Sequence, residues 1–211
     1  MTDTEKLIAS IVHEATPIKS ATHPFVLSAK WLAGMVAYVG LYLMVVGVRP
    51  DLLLKFQAPL FVGETGLLAG IVVATCLSAA LLSFPDVHQK RLLAFAPVVM
   101  SMLFVWVLCM AWYADNPATH PPVHNMKCTI SIALLALLPA VWMFYTMRGF
   151  ASTHPYSAGS VALLAAFGIG ALSLRLAEPT DSIMHVMLWH YLPMLSVAIL
   201  GLWLGKKFLK W

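Results

Sequence analysis

Charge is what this 211-residue chain has least of: Asp, Glu, Lys and Arg make up 10% of it, against roughly 25% in a soluble globular domain. That scarcity argues against a soluble fold and against a basic surface for nucleic acid. The three cysteines, Cys76, Cys109 and Cys128, form no CxxC and no zinc-finger set. Gly-rich phosphate loops, nucleophile elbows and paired carboxylates are also missing, so no enzyme and no cofactor are expected. The first thirty residues hold no apolar core followed by a small-residue cleavage site, so no cleavable signal peptide is expected.

What the chain has instead is apolar length. Six stretches, Trp31–Val48, Leu60–Phe84, Leu92–Trp112, Cys128–Met147, Tyr156–Leu174 and Ile183–Leu204, account for most of the 61% hydrophobic content. About 20 apolar residues in helical form cross the hydrocarbon core, where unpaired backbone groups are not tolerated. The expected fold is therefore all-α, an integral membrane bundle of six transmembrane helices over 31–211, with interiors expected to carry no charge. With Lys6, Lys19, Lys30, Lys90, Arg91, Arg148, Lys206, Lys207 and Lys210 inside, nine basic residues face four outside, Arg49, Lys55, Lys127 and Arg175. That bias predicts both termini in the cytoplasm. Gly66/Gly70, Gly201/Gly205 and the Ala162–Ala166–Gly170 series supply small-residue packing faces. Trp31, Trp112, Trp203 and Trp211 are expected near the membrane interfaces. Pro97, Pro139 and Pro193 are expected to kink spans three, four and six.

The first thirty residues form a separate cytoplasmic segment. Thr2 with Glu5 makes a capping-box pattern. Leu7, Ile8, Ile11, Val12 and Ala15 repeat at helical spacing as one apolar stripe, and Pro17 disfavours helix at Thr16. Asp3, Glu5 and Glu14 against Lys6 give the helix a net charge of −2, a poor match for an anionic leaflet. Docking in a groove on a partner protein fits it better than lying on the membrane or on the bundle, though both readings remain open. Residues 18–30 are expected to be a polar linker.

On the outer face the longest loop, Tyr113–Lys127, carries Asp115, His120 and His124. A helix starting near Pro122 would place His124 and Cys128 at i, i+4, a spacing at which imidazole and thiolate share a soft metal. A third ligand would come from Cys109, Asp181 or His185; the alternative is a purely structural loop. His185 and His190, five residues apart, are expected on different faces of the last span.

The final residues are more specific. Arg175-Leu176, Pro179-Thr180-Asp181-Ser182, His185-Val186-Met187-Leu188-Trp189-His190, Pro193 and the Leu204–Trp211 tail resemble the ending of the NrsF-like family, six-helix membrane anti-sigma factors described as negative regulators of sigma F. Leu7–Ile11 with Pro17-Ile18-Lys19, Gly47–Leu52 and Lys127-Cys128 extend the resemblance along the chain. The resemblance implies a bacterial inner-membrane protein whose cytoplasmic segment sequesters an extracytoplasmic-function sigma factor and releases it on an external stress signal. Its partners would be that sigma factor and the lipid bilayer, with no direct contact to nucleic acid. It also implies two outward-facing cysteines. Cys128 matches one, but Ala177 stands at the other position, so Cys109 and His124 join Cys128 as candidate sensing residues for a redox or metal signal. The competing function class is a small membrane transporter or permease subunit; an assembly factor for another membrane complex is a third.

Overall fold

Prolines open four of the helices of this chain, and one glycine closes the first of those four. A computed structural model describes residues 2–14, 22–85, 91–115 and 126–210, which contain helices and no strand. The elements are α1 (Asp3–Glu14), α2 (Pro24–Val46), the short α3 (Leu52–Lys55), α4 (Pro59–Leu82), α5 (Arg91–Ala94), α6 (Ala96–Asp115), α7 (Met126–Met147), α8 (Pro155–Ala177), α9 (Ile183–His185), a π turn (Val186–Tyr191) and α10 (Pro193–Phe208). Pro24, Pro59, Pro155 and Pro193 occupy the first helical turn, where a missing N–H costs nothing and the fixed φ is already helical. Gly47 ends α2 at φ 94°, its amide donating to Leu43. A side chain is strained in that region, which explains the glycine.

Six helical stretches are long and apolar enough to cross a membrane: Pro24–Val46, Pro59–Leu82, Leu92–Ala114, Met126–Met147, Pro155–Ala177 and Ile183–Phe208. The six expected helices of span length and apolar composition are therefore present. The first begins at Pro24, not at Trp31, so 24–30 is helix and not linker. Leu27 and Ser28 in this turn are buried, and that burial extends the helix. Pro139 lies inside a continuous α7, and Pro97 falls in the first turn of α6.

α4 and α8 are the central helices. α8 packs against α10, α4, α7 and α2, while α4 also packs on α6 and α2. The outward faces are apolar: Val36, Leu41, Met102, Trp106, Leu134, Leu195 and Ile199 are all exposed. A belt of that kind suits hydrocarbon, not water. Small residues set the tightest seam. A Cβ on Gly201 would sit 2.6 Å from the Ser160 Cα, and one on Gly159 would overlap the Gly201 carbonyl. The Gly201/Gly205 pair thus serves packing within the chain, whereas a Cβ on Gly66 would meet open space. Trp31 departs from expectation: it is 1% exposed, with its indole donating to Thr146 Oγ1 at 3.0 Å. It is a core residue joining α2 to α7, not an interfacial anchor.

Candidate functional site

Two regions of the molecule carry polar or exposed chemistry that packing alone does not require: α1, and the end of the bundle where α2, α7 and α8 meet α9. At α1 the capping box forms as its sequence suggests. The Thr2 amide donates to Glu5 Oε2 at 2.8 Å, and the Glu5 amide donates to Thr2 Oγ1 at 3.4 Å. Asp3 and Glu5 in the first turn and His13 in the last complement the helix dipole. Leu7, Ile8, Ile11 and Val12 are each more than half exposed. Their stripe is not buried by the described residues. Ala15, Pro17 and the residues up to Ala21 lie outside the described residues.

The far end of the bundle holds a buried ionic network. Arg175, in the last turn of α8, makes a two-pronged contact with Glu64 of α4, Nε to Oε1 at 2.9 Å and Nη2 to Oε2 at 3.1 Å. The Tyr191 hydroxyl also donates to Glu64. Both partners of the pair have side chains only 5% exposed. The expectation of charge-free span interiors is corrected here: Glu64 stands within the second apolar stretch, paired across the bundle. An intramembrane charge is retained at bearable cost only when it is paired and hydrogen-bonded, and the pairing meets that condition.

A second cluster extends the first toward the surface. Arg49 reaches Asp51 through Nε and Nη2, both at 2.8 Å, and Asp181 through Nη2 at 3.0 Å. Lys55 Nζ approaches Asp181 Oδ2 at 2.8 Å. The Arg49 amide donates to the Leu176 carbonyl, and Arg175 Nη1 donates to the Thr180 carbonyl. Both guanidinium groups lie over the Phe61 ring, at 5.4 and 4.9 Å from its centroid, a favourable cation–π arrangement. The hydrogen bond from Arg49 holds the Asp51 carboxyl below its ordinary range. Burial pushes the Asp181 carboxyl up, but the bonds from Lys55 and Arg49 outweigh it and leave it low. Arg49, Asp51, Arg175, Thr180 and Asp181, separated in sequence, are thus one assembly.

Beside it lies a third group. Cys128, near the start of α7, is buried, with Sγ 3.4 and 3.6 Å from the two Glu178 carboxylate oxygens. His185 and His190 are also buried, with rings 5.5 Å apart. One ligand atom from each of Cys128, His185 and His190 lies within 4.8 Å of the other two. The expectation that the histidines point to different faces is wrong, and the π turn is the reason. Residues five apart are about 140° apart around an α-helix, but a π turn, with its i→i−5 bonds, brings them to one side. The Leu192 amide donates to the Met187 carbonyl at 2.8 Å, one such bond. Pro193 has no N–H for the Trp189 carbonyl, and Thr129 Oγ1 of α7 supplies the missing donor at 2.6 Å. What the structure shows beside Pro193 is thus a widened turn.

Of the other sensing candidates, Cys109 is exposed and, like Cys76 and Cys128, forms no disulfide. His124 lies outside the described residues, so its pairing with Cys128 is not visible. Ala177 is the last residue of α8, and the next residue, Glu178, is the one that faces Cys128. Two signals for the missed residues were present in the sequence: an acid inside an apolar stretch, and a proline three residues after a histidine.

The comparisons with known proteins follow the same residues. A family profile described as "Negative regulator of sigma F" matches residues 11–211. The chain is 28% identical over 183 residues to the anti-sigma-F factor NrsF of Caulobacter vibrioides (strain NA1000 / CB15N), covering 82% of this chain and 84% of that one. No solved structure matches. The positions that meet at the far end, Arg49 with Asp51, Cys128, Arg175 and the 179–182 run, fall inside the matched region, and on a match of that extent the chain belongs to the negative regulator of sigma F family.

Proposed function

We propose that this protein is a membrane-bound anti-sigma factor that sequesters an extracytoplasmic-function sigma factor through residues 1–30 and releases it on an external stress signal. The observation that carries the reading is the exposed apolar stripe of α1 in a chain of this family. Leu7, Ile8, Ile11 and Val12 line one face of an amphipathic helix of the kind that docks in a partner's groove, and Ala15 continues the same spacing in the sequence. Its acidic polar face disfavours an anionic leaflet as the alternative surface. The remaining chain, 31–211, anchors this handle in the bacterial inner membrane. The nine-to-four bias of basic residues supports cytoplasmic termini, which puts α1 on the side where a sigma factor is found. The family is regulatory, and the protein acts by holding the sigma factor away from RNA polymerase, not by catalysis.

The far end of the bundle then faces the signal. Cys128 is the sensing residue best placed there, since it is buried against Glu178 at the junction of α7 and α8. Signal transfer to α1 is a shift between two bundle states, and it needs only a difference in the affinity of those states for the signal. The test is affinity purification of the tagged protein from its own host in mild detergent, beside the Leu7→Asp/Ile11→Asp variant. Recovery of a sigma factor with the wild type and its loss with the variant support the reading. Recovery with both removes α1 as the contact, and absence from both, even after cross-linking, removes the function.

A further inference from the structure

We infer that Cys128, His185 and His190 form a binding site for one zinc-class divalent cation, with the Glu178 carboxylate adjoining the thiol. The site goes beyond sigma-factor capture and stands whether or not α1 holds a partner. Three separate elements converge on it: the start of α7, the loop after α8, and the α9–π turn. The three principal ligand atoms lie within 4.8 Å of one another. Around a tetrahedral ion with metal–sulfur bonds near 2.3 Å and metal–nitrogen bonds near 2.1 Å, donors are roughly 3.4–3.7 Å apart. Side-chain rotations of about 1 Å close that difference.

His190 is the second, independent observation. It is 1% exposed, and neither of its ring nitrogens has a hydrogen-bond partner among the described residues. Buried polar groups are almost always satisfied, so an orphaned imidazole beside a thiol and a second imidazole calls for a ligand. The π turn points the same way, because single π turns inside α-helices frequently mark functional sites. Without it His185 and His190 would not share a side.

Charge selects the ion. Two neutral imidazoles, one thiolate and one carboxylate carry −2, so a divalent cation makes the assembly neutral, the form that a low-dielectric interior tolerates. Binding would replace the thiol proton with the metal, releasing one proton to solvent per ion bound. A sulfur and nitrogen donor set favours zinc or cadmium; magnesium and calcium require oxygen. Thr180 Oγ1 donates to Glu178 Oε1 at 3.2 Å and so helps fix the carboxylate beside the thiol, the kind of outer-shell support that metal ligands receive.

The experiment uses the full chain, purified in detergent micelles and stripped with chelator. Cobalt(II) is the spectroscopic probe, with zinc(II) as competitor. Expected are one cobalt bound per chain with one proton released, a thiolate-to-cobalt charge-transfer band with tetrahedral d–d bands, and displacement by one equivalent of zinc with no further proton release. Cys128→Ser should abolish the charge-transfer band. His185→Gln and His190→Gln should each weaken binding at least tenfold, whereas Cys109→Ser and His124→Ala should leave it within about twofold. A wild type that binds no cobalt overturns the site, as does binding that survives both histidine substitutions. Loss in His124→Ala with both span histidines dispensable overturns it too. Should the histidine variants fail to fold, X-ray absorption of the zinc-loaded wild type reads the ligands directly. One sulfur with two imidazoles supports the site, and a shell without sulfur, or without two imidazoles, rejects it.

Discussion

Glu64 and Arg175 are the residues whose behaviour most depends on each other. Each lies inside an apolar helix, each is nearly inaccessible, and each has the other as its main counter-charge. Removing one partner leaves an uncompensated buried charge, a loss of about 3–5 kcal/mol. Arg175→Met or Glu64→Leu alone is therefore expected to lower the melting temperature strongly in detergent. The double variant should recover part of the loss, because desolvation of both ions is then avoided. A double variant no more stable than the worse single would show that the pair is not the unit. Nearer the surface, Asp51 and Asp181 titrate below their ordinary range because Arg49 and Lys55 favour their charged forms. A carboxylate whose folded pKa is depressed contributes stability that is complete above the unfolded value, about 3.9, and lost as pH falls through the folded one. Melting measured from pH 6 down to pH 3 should show an acid-sensitive step below about pH 4, and Asp181→Asn should diminish it.

At the level of elements, the π turn is an example of a side chain compensating for a proline. Pro193 leaves the Trp189 carbonyl without its helical donor, and the Thr129 hydroxyl takes that place from α7. Thr129→Val keeps the shape and removes the donor, so loss of this hydrogen bond should cost about 0.5–1.5 kcal/mol. Thr129→Ser, which retains the hydroxyl, should cost less; equal losses in thermal unfolding would mean that the hydrogen bond is not what matters. α1 presents the opposite case, an element legible in sequence down to its cap. The Thr2–Glu5 reciprocal bonds and the Leu7–Ile8–Ile11–Val12 stripe required only local spacing. Because the stripe is exposed, Leu7→Asp/Ile11→Asp should leave the melting temperature of the membrane part unchanged while altering partner capture.

For the whole molecule, packing is set by where backbones touch. α8 and α10 meet at Gly159, Gly201 and Gly205, and a methyl at any of them would strike backbone atoms that cannot give way. Gly159→Ala is expected to destabilise the bundle by about 1–3 kcal/mol through overpacking. Gly66→Ala, with nothing within 4 Å of its new methyl, should be neutral in the same melting assay. The two substitutions look alike in sequence, since both belong to stretches with small-residue spacing. Only the arrangement of helices tells them apart.

The sequence by itself determined the six apolar helices, the amphipathic α1 and the family, because each follows from composition and local period or from motif order. Hydrophobic length is a one-dimensional property, and a bilayer converts it into helices almost without regard to what the helices pack on. The tertiary structure alone decided which distant residues share a site. Arg49 meets Asp181, Glu64 meets Arg175, and Cys128 meets Glu178 and two histidines because α2, α4, α7 and α8 end at one place. Those pairings depend on helix rotation and on one widened turn, and a rotation of a third of a turn exchanges lipid for core. A charge count along the chain also concealed Glu64, whose acceptability inside the membrane comes from a partner 111 residues away.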